Sequence, residues 1–369
     1  MTEKLGSFLQ TFDLHGSVIG VEPFKSGHIN DTYRGRVATP QGERWYIHQR
    51  INRHIFKDIP GVMRNIVAVT DHIRAALARG EGSSVEEAVR VVRTQAGETY
   101  AVDDSGDFWR TYEFVPGAVS FDICAGPAQA EEAGRMVGKF QRYLRDFSAR
   151  ELVDPIPQFQ NTAMRFAHLE EAIREDRAGR LQEVGSEVDF ARGQKGLTEL
   201  LVEGINSGAL PLRVTHGDPK LNNILFREGT GQGICLVDLD TCMAGTVLYD
   251  FGDLVRCTAV RAAEDERDLE RVRCELDLFR GLTAGFLEIV ADELIPAERA
   301  LLATAPQAIV LTIGIRFLTD YLNGDTYFKI HRPQHNLDRA RTQFALVRSL
   351  QRQADEMNAI VADLLSRLR

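Results

Sequence analysis

One stretch near the middle of the chain, residues 210–253, constrains the fold more than any other part of the sequence. It contains three short apolar runs with the length and composition of β-strands: Leu212–Thr215, Ile224–Phe226 and Ile234–Val237. A glycine-rich segment, Gly229–Gly233, separates the last two runs, so we expect them to form a β-hairpin. Polar residues follow the ends of these strands: Asp218, Asn223, Asp238 and Asp240.

The spacing of these polar residues suits phosphoryl transfer. The order is His216-x-Asp218-x-Lys220-x-x-Asn223, followed after the next strand by Asp238-x-Asp240. Transfer of a phosphoryl group requires positioning and electrostatic stabilisation more than covalent chemistry by the protein. Asp218 is suited to accept the proton of the attacking hydroxyl, and Lys220 to contact the γ-phosphate of ATP. Asn223 and Asp238 offer the oxygen ligands that Mg²⁺ prefers, so the stretch predicts a kinase active site.

Five collinear blocks, spread over nearly the whole chain, resemble a known family. They are GHINDTY at 27–33, IFKDIPGVMRN at 55–65, PLRVTHGDPKLNNIL at 211–225, DLDTCMAGTVLYDFGD at 238–253 and IRFLTDYLNGDTYF at 315–328. The pattern H-x-D-x-x-x-x-N, with a later strand that ends in Asp, is typical of kinase-like folds. Its form here resembles the aminoglycoside phosphotransferase and choline kinase group of small-molecule kinases. Within that group, the blocks are most similar to the N-acetylhexosamine 1-kinases.

The resemblance implies a fold, two cofactors and an acceptor. The cofactors are ATP and Mg²⁺. The acceptor is the anomeric hydroxyl of an N-acetylhexosamine (GlcNAc or GalNAc), and the product is the sugar 1-phosphate. The fold is α+β: a two-lobed protein-kinase-like structure with a small antiparallel β lobe and a larger, mainly helical lobe.

Local sequence patterns predict where the two lobes meet, because strand-like runs end at the Pro116-Gly117 pair. We expect residues 1–115 to form the nucleotide-binding lobe and residues 116–369 the catalytic and substrate-binding helical lobe. Runs at 89–94 and 99–102 predict a hairpin in the first lobe. Apolar residues at helical spacing predict helices at 4–14, 58–78, 126–147, 161–176, 188–206, 269–291, 296–322 and 336–368.

Candidates for nucleotide binding lie on the strands and turns of the first lobe. They are Ser26, Gly27, Asn30, Thr32, Gln49, Arg50, Glu113 and Val115. A turn rich in small residues can cover phosphates with backbone N–H groups. Kinase-like folds carry a phosphate-binding lysine on the third strand, where this chain has Gln49 and Arg50 instead. Gln49 aligns with the lysine by resemblance and Arg50 is the strong cation beside it, so the phosphate contact is left open between them.

Candidates for acceptor binding come from the resemblance. It implies that Asp240, Thr241, Arg316 and Tyr327 bind the sugar and that Asp218 also contacts its hydroxyl. From the residues alone, Arg316 has two readings. A cation on an apolar segment either forms a structural ion pair or faces a ligand.

Composition limits the partners and the compartment. The chain has 369 residues and a net charge of −9, which argues against a nucleic-acid partner. Five scattered cysteines form no metal-binding spacing and predict free thiols in a reducing cytoplasm. No apolar tract is long enough for a membrane span, so we expect a cytoplasmic protein without a membrane partner. The small-molecule sugar substrate is implied by the resemblance alone. Monomer and homodimer are both left open.

Two alternatives remain at the level of sequence. The first is another acceptor: an aminoglycoside, choline, homoserine or another sugar. An aminoglycoside pocket would be lined with carboxylates, which Arg316 argues against, and choline would favour an aromatic cage. The second is an inactive kinase-like binding module, which only the absence of the strand lysine supports.

Overall fold

The structure, a computed structural model, describes residues 2–24, 29–159 and 161–368. The helices are α1 (Thr2–Leu9), α2 (Ile59–Ala78), α3 (Pro127–Tyr143), α4 (Thr162–Glu175), α5 (Gly185–Gly193), α6 (Lys195–Asn206), α7 (Val247–Thr258), α8 (Leu276–Val290), α9 (Pro296–Leu301), α10 (Ala305–Leu322), α11 (His335–Arg352) and α12 (Ala354–Arg367). The strands are β1 (Ser17–Pro23), β2 (Asp31–Thr39), β3 (Gly42–Arg50), β4 (Val91–Val92), β5 (Ala101–Val102), β6 (Phe108–Glu113), β7 (Ala118–Val119), β8 (Arg213–Thr215), β9 (Ile224–Arg227), β10 (Gly233–Leu236) and β11 (Met243–Gly245).

The strands of the first part of the chain form one antiparallel sheet, in the order β1-β2-β3-β6-β4, with β5 also paired to β6. β4 pairs with the second half of β6 and β5 with the first half. Since both run antiparallel to β6, they run in the same direction and do not pair with each other as a hairpin. The predicted hairpin of 89–94 with 99–102 is therefore wrong, and we call elements α1 to β6 the β lobe.

Helix α2 begins close to the predicted position because its first turn is well capped. The Asp58 carboxylate accepts the N–H of Gly61 at 2.9 Å, and Pro60 occupies the first turn, where its missing N–H costs nothing. The apolar face of α2 packs into the large hydrophobic core that continues through the helical part of the chain. This helix therefore attaches the β lobe to the rest of the molecule.

The remaining elements, β7 to α12, form the helical lobe, and three small strand pairs position its active residues. β9 and β10 form the predicted hairpin, β7 pairs with β9, and β11 pairs with β8. The pairing of β7 shows that the chain enters the helical lobe directly after the segment 114–117. The boundary at residue 115 itself stays a prediction.

Several predicted helices are shorter than expected or divided. The helix predicted at 269–291 begins at Leu276, and those at 188–206, 296–322 and 336–368 are each split in two. The residues between the halves keep the apolar spacing, so the pattern alone does not reveal the breaks. Pro306 gives a cause for one of them, because proline is favoured in a first helical turn and disfavoured in a helix interior.

Helices α3 and α8 pack with their backbones in close approach. A Cβ at Gly134 or at Gly285 would overlap the carbonyl of the opposite helix, so glycine is required at both positions. This packing fixes α3, which carries a residue of the candidate active site. All five cysteines are free thiols, as predicted. In the described part of the chain, no helix combines the length and the apolar composition needed to cross a membrane.

Candidate active site

The loop that follows β8 is held from below by a buried carboxylate on α7. Asp250 accepts the backbone N–H groups of His216 at 2.8 Å and Gly217 at 2.9 Å, and Gln141 of α3 donates to it at 2.9 Å. Burial raises the pKa of Asp250 to about 7, while these donors act in the opposite direction. These contacts make Asp250 the residue that braces the loop. Asp253 instead pairs with Arg256 at 2.7 Å.

The same loop is bound to the segment after β10. Gly217 has φ +83°, and a Cβ there would approach the carbonyl oxygen of Thr241 to 2.7 Å. Thr241 in turn donates its hydroxyl to the carbonyl of His216 at 2.8 Å, and the His216 ring nitrogen Nε2 lies 3.0 Å from the carbonyl of Val237. The two segments that carry the predicted catalytic and metal residues are therefore fixed to each other.

Three of the predicted residues are in direct contact. Lys220 Nζ lies 2.7 Å from Asp218 Oδ2, and Asn223 Nδ2 donates to the same carboxylate at 3.2 Å and to the Asp218 carbonyl at 2.9 Å. Burial opposes the charge of Lys220, but Asp218 outweighs it and raises the pKa of Lys220. An ammonium group and an amide thus hold Asp218 in one orientation.

Asp238 lies two positions after the last residue of β10. Val237 lies between them, and its N–H donates to the Asn223 carbonyl at 2.9 Å. Burial raises the pKa of Asp238 to about 7, and the nearby carboxylates of Asp240 and Asp218 act in the same direction. Such an excess of buried negative charge fits a divalent cation. Within the described ranges, no group of three His, Cys, Asp or Glu side chains is arranged to hold a metal. Mg²⁺ bound to a nucleotide needs only one or two protein carboxylates.

The sequence did not predict the most buried cation of the site, Arg110 on β6. Its side chain is fully buried, and its guanidinium forms a bidentate ion pair with Asp240, with Nη2 to Oδ2 at 2.9 Å. Gln49 accepts two further hydrogen bonds from Arg110, at 2.9 and 2.8 Å. The pair joins the β lobe to the helical lobe directly beside Asp238. The available signal was a charged residue inside the apolar strand FWRTYEF.

The two candidates on β3 point in different directions. Gln49 binds Arg110 and donates to the Thr32 hydroxyl at 3.1 Å, so it faces the junction of the lobes. Arg50 pairs with Asp31 and Asp107 and remains 43% exposed. Its charge is therefore shared with surface carboxylates of the β lobe.

Asn30 connects the turn between β1 and β2 to the helical lobe. Its Nδ2 donates to Asp240 Oδ2 at 2.6 Å, and its Oδ1 accepts the N–H of Asn52 at 2.9 Å. Two other candidates of this turn, Ser26 and Gly27, lie outside the described residues. Asp240 thus receives donors from both Asn30 and Arg110, so its oxygens are occupied by protein groups.

The two remaining nucleotide candidates lie at the end of the β lobe. Glu113 is the last residue of β6, and Val115 lies in the segment that follows it. The N–H of Glu113 donates to the Arg90 carbonyl at 3.0 Å, and its carboxylate pairs with Arg90 at 3.1 Å. Val115 is half-buried against the large core. These contacts hold the end of β6 and the residues that follow it in place.

The acceptor candidates divide into two places. Asp240 and Thr241 are buried at the lobe junction. Arg316 lies on α10 near the rings of Tyr327 and Phe328, with its guanidinium carbon 5.8 and 5.3 Å from their centroids. Tyr327 is 56% exposed. A separate cavity of about 910 Å³ opens at Asp218 and is lined by Lys220 and by residues of α7 and the segment after it.

Comparisons with known proteins agree with this architecture. The sequence profile of the phosphotransferase enzyme family matches residues 20–282. Solved structures of similar fold include a microcompartment-associated aminopropanol kinase (16% identity, TM-score 0.55, 96% of this chain and 98% of that chain). Another is a choline/ethanolamine kinase family protein from Mesorhizobium loti (16%, TM-score 0.55, 97% and 98%). A third is a spectinomycin phosphotransferase in complex with ADP and spectinomycin (12%, TM-score 0.52, 96% and 99%).

These likenesses confirm the predicted α+β fold, with an antiparallel sheet in the first lobe and a helical second lobe. The family profile covers more than half of the chain, and it includes most of the β lobe, the loop of Asp218 and the segment of Asp238. The chain therefore belongs to the phosphotransferase enzyme family.

Proposed function

We propose that this protein is an ATP- and Mg²⁺-dependent small-molecule kinase that phosphorylates the anomeric hydroxyl of N-acetylhexosamines. The observation that carries the proposal is the contact of Asp218 with Lys220 and Asn223 beside the buried carboxylate of Asp238. The spectinomycin phosphotransferase of similar fold binds ADP, which supports a nucleotide in the cleft between the lobes.

The contacts of the site support a separate role for each residue. Asp218 accepts the proton of the acceptor hydroxyl, and Lys220 donates to the transferring phosphoryl group. The Asn223 amide nitrogen is bound to Asp218, so its oxygen, together with Asp238, can bind the metal. When bound, Mg²⁺ offsets the charge of the β- and γ-phosphates.

The nucleotide contacts belong to the β lobe. Asn30, Thr32 and Gln49 line the junction at which the phosphates would lie, and Glu113 with Val115 marks the base edge. The structure gives Arg50 two surface carboxylates as partners, so we favour Gln49 as the residue at the place of the usual lysine.

The acceptor assignment rests on the resemblance around 238–253 and 315–328 and on the charge of Arg316. A cationic acceptor such as an aminoglycoside or choline is disfavoured beside Arg316 and its neighbour Arg165, since the two guanidinium groups already repel each other. Tyr327 offers an exposed ring face for the sugar. We further propose a cytoplasmic role in carbohydrate metabolism.

An acceptor panel assayed for ADP release tests the proposal. GlcNAc, GalNAc, glucose, kanamycin, choline and homoserine are compared, with an acceptor-free reaction as the control. A site built around an acetamido group leaves polar groups unpaired when glucose binds, which costs about 1–3 kcal/mol. We therefore expect glucose to be used roughly five- to a hundredfold less efficiently in kcat/KM. Phosphorus–proton coupled NMR should place the phosphate at O1. Phosphorylation at O6, or equal use of glucose, contradicts the proposal.

A further inference from the structure

Two arginines on neighbouring helices lie close together in the helical lobe. Arg165 is on α4 and Arg316 is on α10, and these helices pack against each other. In the described part of the chain, neither arginine forms an ion pair with a carboxylate. Burial lowers the pKa of Arg165 to about 10, and the charge of Arg316 acts in the same direction. Two cations in such an arrangement repel each other unless a ligand supplies oxygen atoms between them.

Among the residues that the structure describes, most of the hydrogen-bond donors of this pair have no partner. Arg165 Nη2 makes two long contacts, at 3.4 Å each, with the carbonyls of Gln158 and Phe159, and its Nε is buried with no partner. A guanidinium carries five N–H donors in a planar fork. Arg316 lies beside aromatic rings, with its guanidinium carbon 5.5 Å from the Phe159 centroid and 5.3 Å from that of Phe328. Ring faces stabilise a cation but accept no conventional hydrogen bond.

Two sets of contacts link the segments around the pair to the candidate active site. Helix α4 begins at Thr162, which lies near Tyr249 of α7, and Tyr249 directly precedes the Asp250 that holds the loop after β8. The segment leading to Phe159 also passes the loop after Asp238. Asn65 donates to the carbonyls of Val153 and Cys242 there, at 2.7 and 3.0 Å.

These contacts define the ligand chemistry that the pair favours. Planar guanidinium groups are matched by planar groups with sp² oxygens, such as an amide carbonyl or a carboxylate. An ammonium group placed between them is repelled. We propose that Arg165 and Arg316 together bind an sp² oxygen of the acceptor and exclude acceptors that carry an amine at that position. The inference rests on the proposed function in placing an acceptor here, and for an N-acetylhexosamine the oxygen is the acetamido carbonyl.

Replacement of Arg165 tests the inference, with Arg174→Met as a matched control on the exposed face of the same helix. In Arg165→Met, we expect the KM for GlcNAc to rise about 10- to 100-fold, as for the loss of a hydrogen bond to a charged group. The KM for ATP should stay unchanged, because the pair is not placed in the nucleotide cleft. Arg174→Met should leave both constants unchanged.

A comparison of three acceptors supplies a readout that a purely structural role would not move. Glucosamine carries an amine in place of the acetamido group, and glucuronic acid carries a carboxylate. In Arg165→Met, the preference for GlcNAc over glucosamine should fall, because the repulsion of the amine is reduced. The kcat/KM for glucuronic acid relative to that for GlcNAc shows whether the arginine pair prefers a carboxylate or an amide carbonyl as the source of the oxygen. Arg165→Lys keeps the charge without the planar fork, so it should restore the discrimination against glucosamine only in part.

Failure of the inference and failure of the proposed function are distinguishable. If the wild-type enzyme does not use N-acetylhexosamines, the proposed function fails, and the same variants are measured with the acceptor that is used. A rise in KM for that neutral or anionic acceptor still supports the inference. A cationic best acceptor overturns it. So does an unchanged acceptor KM together with an unchanged glucosamine ratio in folded Arg165→Met, or in Arg165→Lys if the Met variant does not fold.

Discussion

At the scale of single residues, the charges around Asp218 do not balance. The carboxylates of Asp218, Asp238 and Asp240 face the two cations Lys220 and Arg110, which leaves an excess of negative charge in a buried place. Because a buried charge is costly without a counter-charge, the site is suited to a divalent cation and unsuited to a bare phosphate. Binding of metal and nucleotide is therefore expected to be cooperative.

Asp218→Asn tests the assignment of the base. The substitution keeps the shape of the side chain and its contact with Lys220, but an amide oxygen accepts a proton poorly. We expect kcat to fall by about a hundredfold or more, while the affinity for ATP, measured by calorimetry, changes little. Retention of more than roughly a tenth of the activity would show that another group accepts the proton.

The proximity of the side chains in the loop after β8 could be predicted from the sequence, whereas the ion pair that joins the two lobes could not. Asp218, Lys220 and Asn223 lie within six positions of one another, so their proximity is a local property of the loop. Arg110 and Asp240 are separated by 130 positions, and only the folded lobes bring them together.

At the scale of elements, apolar periodicity identified the buried faces of the helices but not their ends. A helix end depends on the backbone groups that cap it, and these contacts involve few residues. For α2, the Asp58 cap and Pro60 were visible in the sequence and the boundary agreed. At the division between α11 and α12, the Gln353 side chain binds both the nearby Ser349 hydroxyl and the distant Cys274 carbonyl, and the second of these contacts depends on the tertiary fold.

The ion pair of Arg110 on β6 with Asp240 of the helical lobe can be tested by its contribution to stability. Arg110→Met leaves Asp240 buried without its ion-pair partner, which should cost about 3–5 kcal/mol of unfolding free energy. Asp240→Asn should also destabilise. The double variant should lose less than the sum of the two single variants, because neither charge is then left alone. Urea unfolding monitored by circular dichroism provides the free energies.

Arg50→Met is the control for this cycle. Arg50 on β3 also pairs with two carboxylates but is partly exposed, so its loss should cost no more than about 1 kcal/mol. Strictly additive losses for Arg110 and Asp240 would mean that the two side chains do not depend on each other.

At the scale of the whole molecule, the described residues form two hydrophobic cores that stabilise the fold. The small core contains Leu9, Phe12 and Trp109 and holds α1 against the sheet. The large core runs through the helical lobe and includes α2. Since α2 belongs to the β lobe in sequence but to the large core in packing, the two lobes should unfold together rather than separately.

Acid should weaken the fold through His48. This side chain is fully buried on β3, with Nδ1 2.8 Å from the Thr111 hydroxyl, and burial lowers its pKa to about 3. Below about pH 6.5, His48 therefore binds a proton in the unfolded chain but stays neutral in the folded chain. The free energy of unfolding consequently falls as the pH falls. By pH 5 the loss from this group should approach about 2 kcal/mol at 1.36 kcal/mol per pH unit.

Thermal or urea unfolding of the wild type and His48→Gln between pH 5 and 8 measures this contribution. The difference in unfolding free energy between the two proteins should shrink as the pH falls. His216, whose pKa burial lowers to about 4, acts in the same direction in both proteins and cancels from the comparison. A difference that is independent of pH would show that His48 is protonated equally in both states.

The backbone at Asp238 carries one further consequence. This residue adopts a left-handed conformation, with φ 64° and ψ 57°, which side-chain-bearing residues adopt at a cost of about 1–2 kcal/mol. Glycine would relax that backbone but would remove the carboxylate from the lobe junction. Under the proposed function, Asp238→Gly would therefore relax the backbone of the fold and at the same time remove a metal ligand.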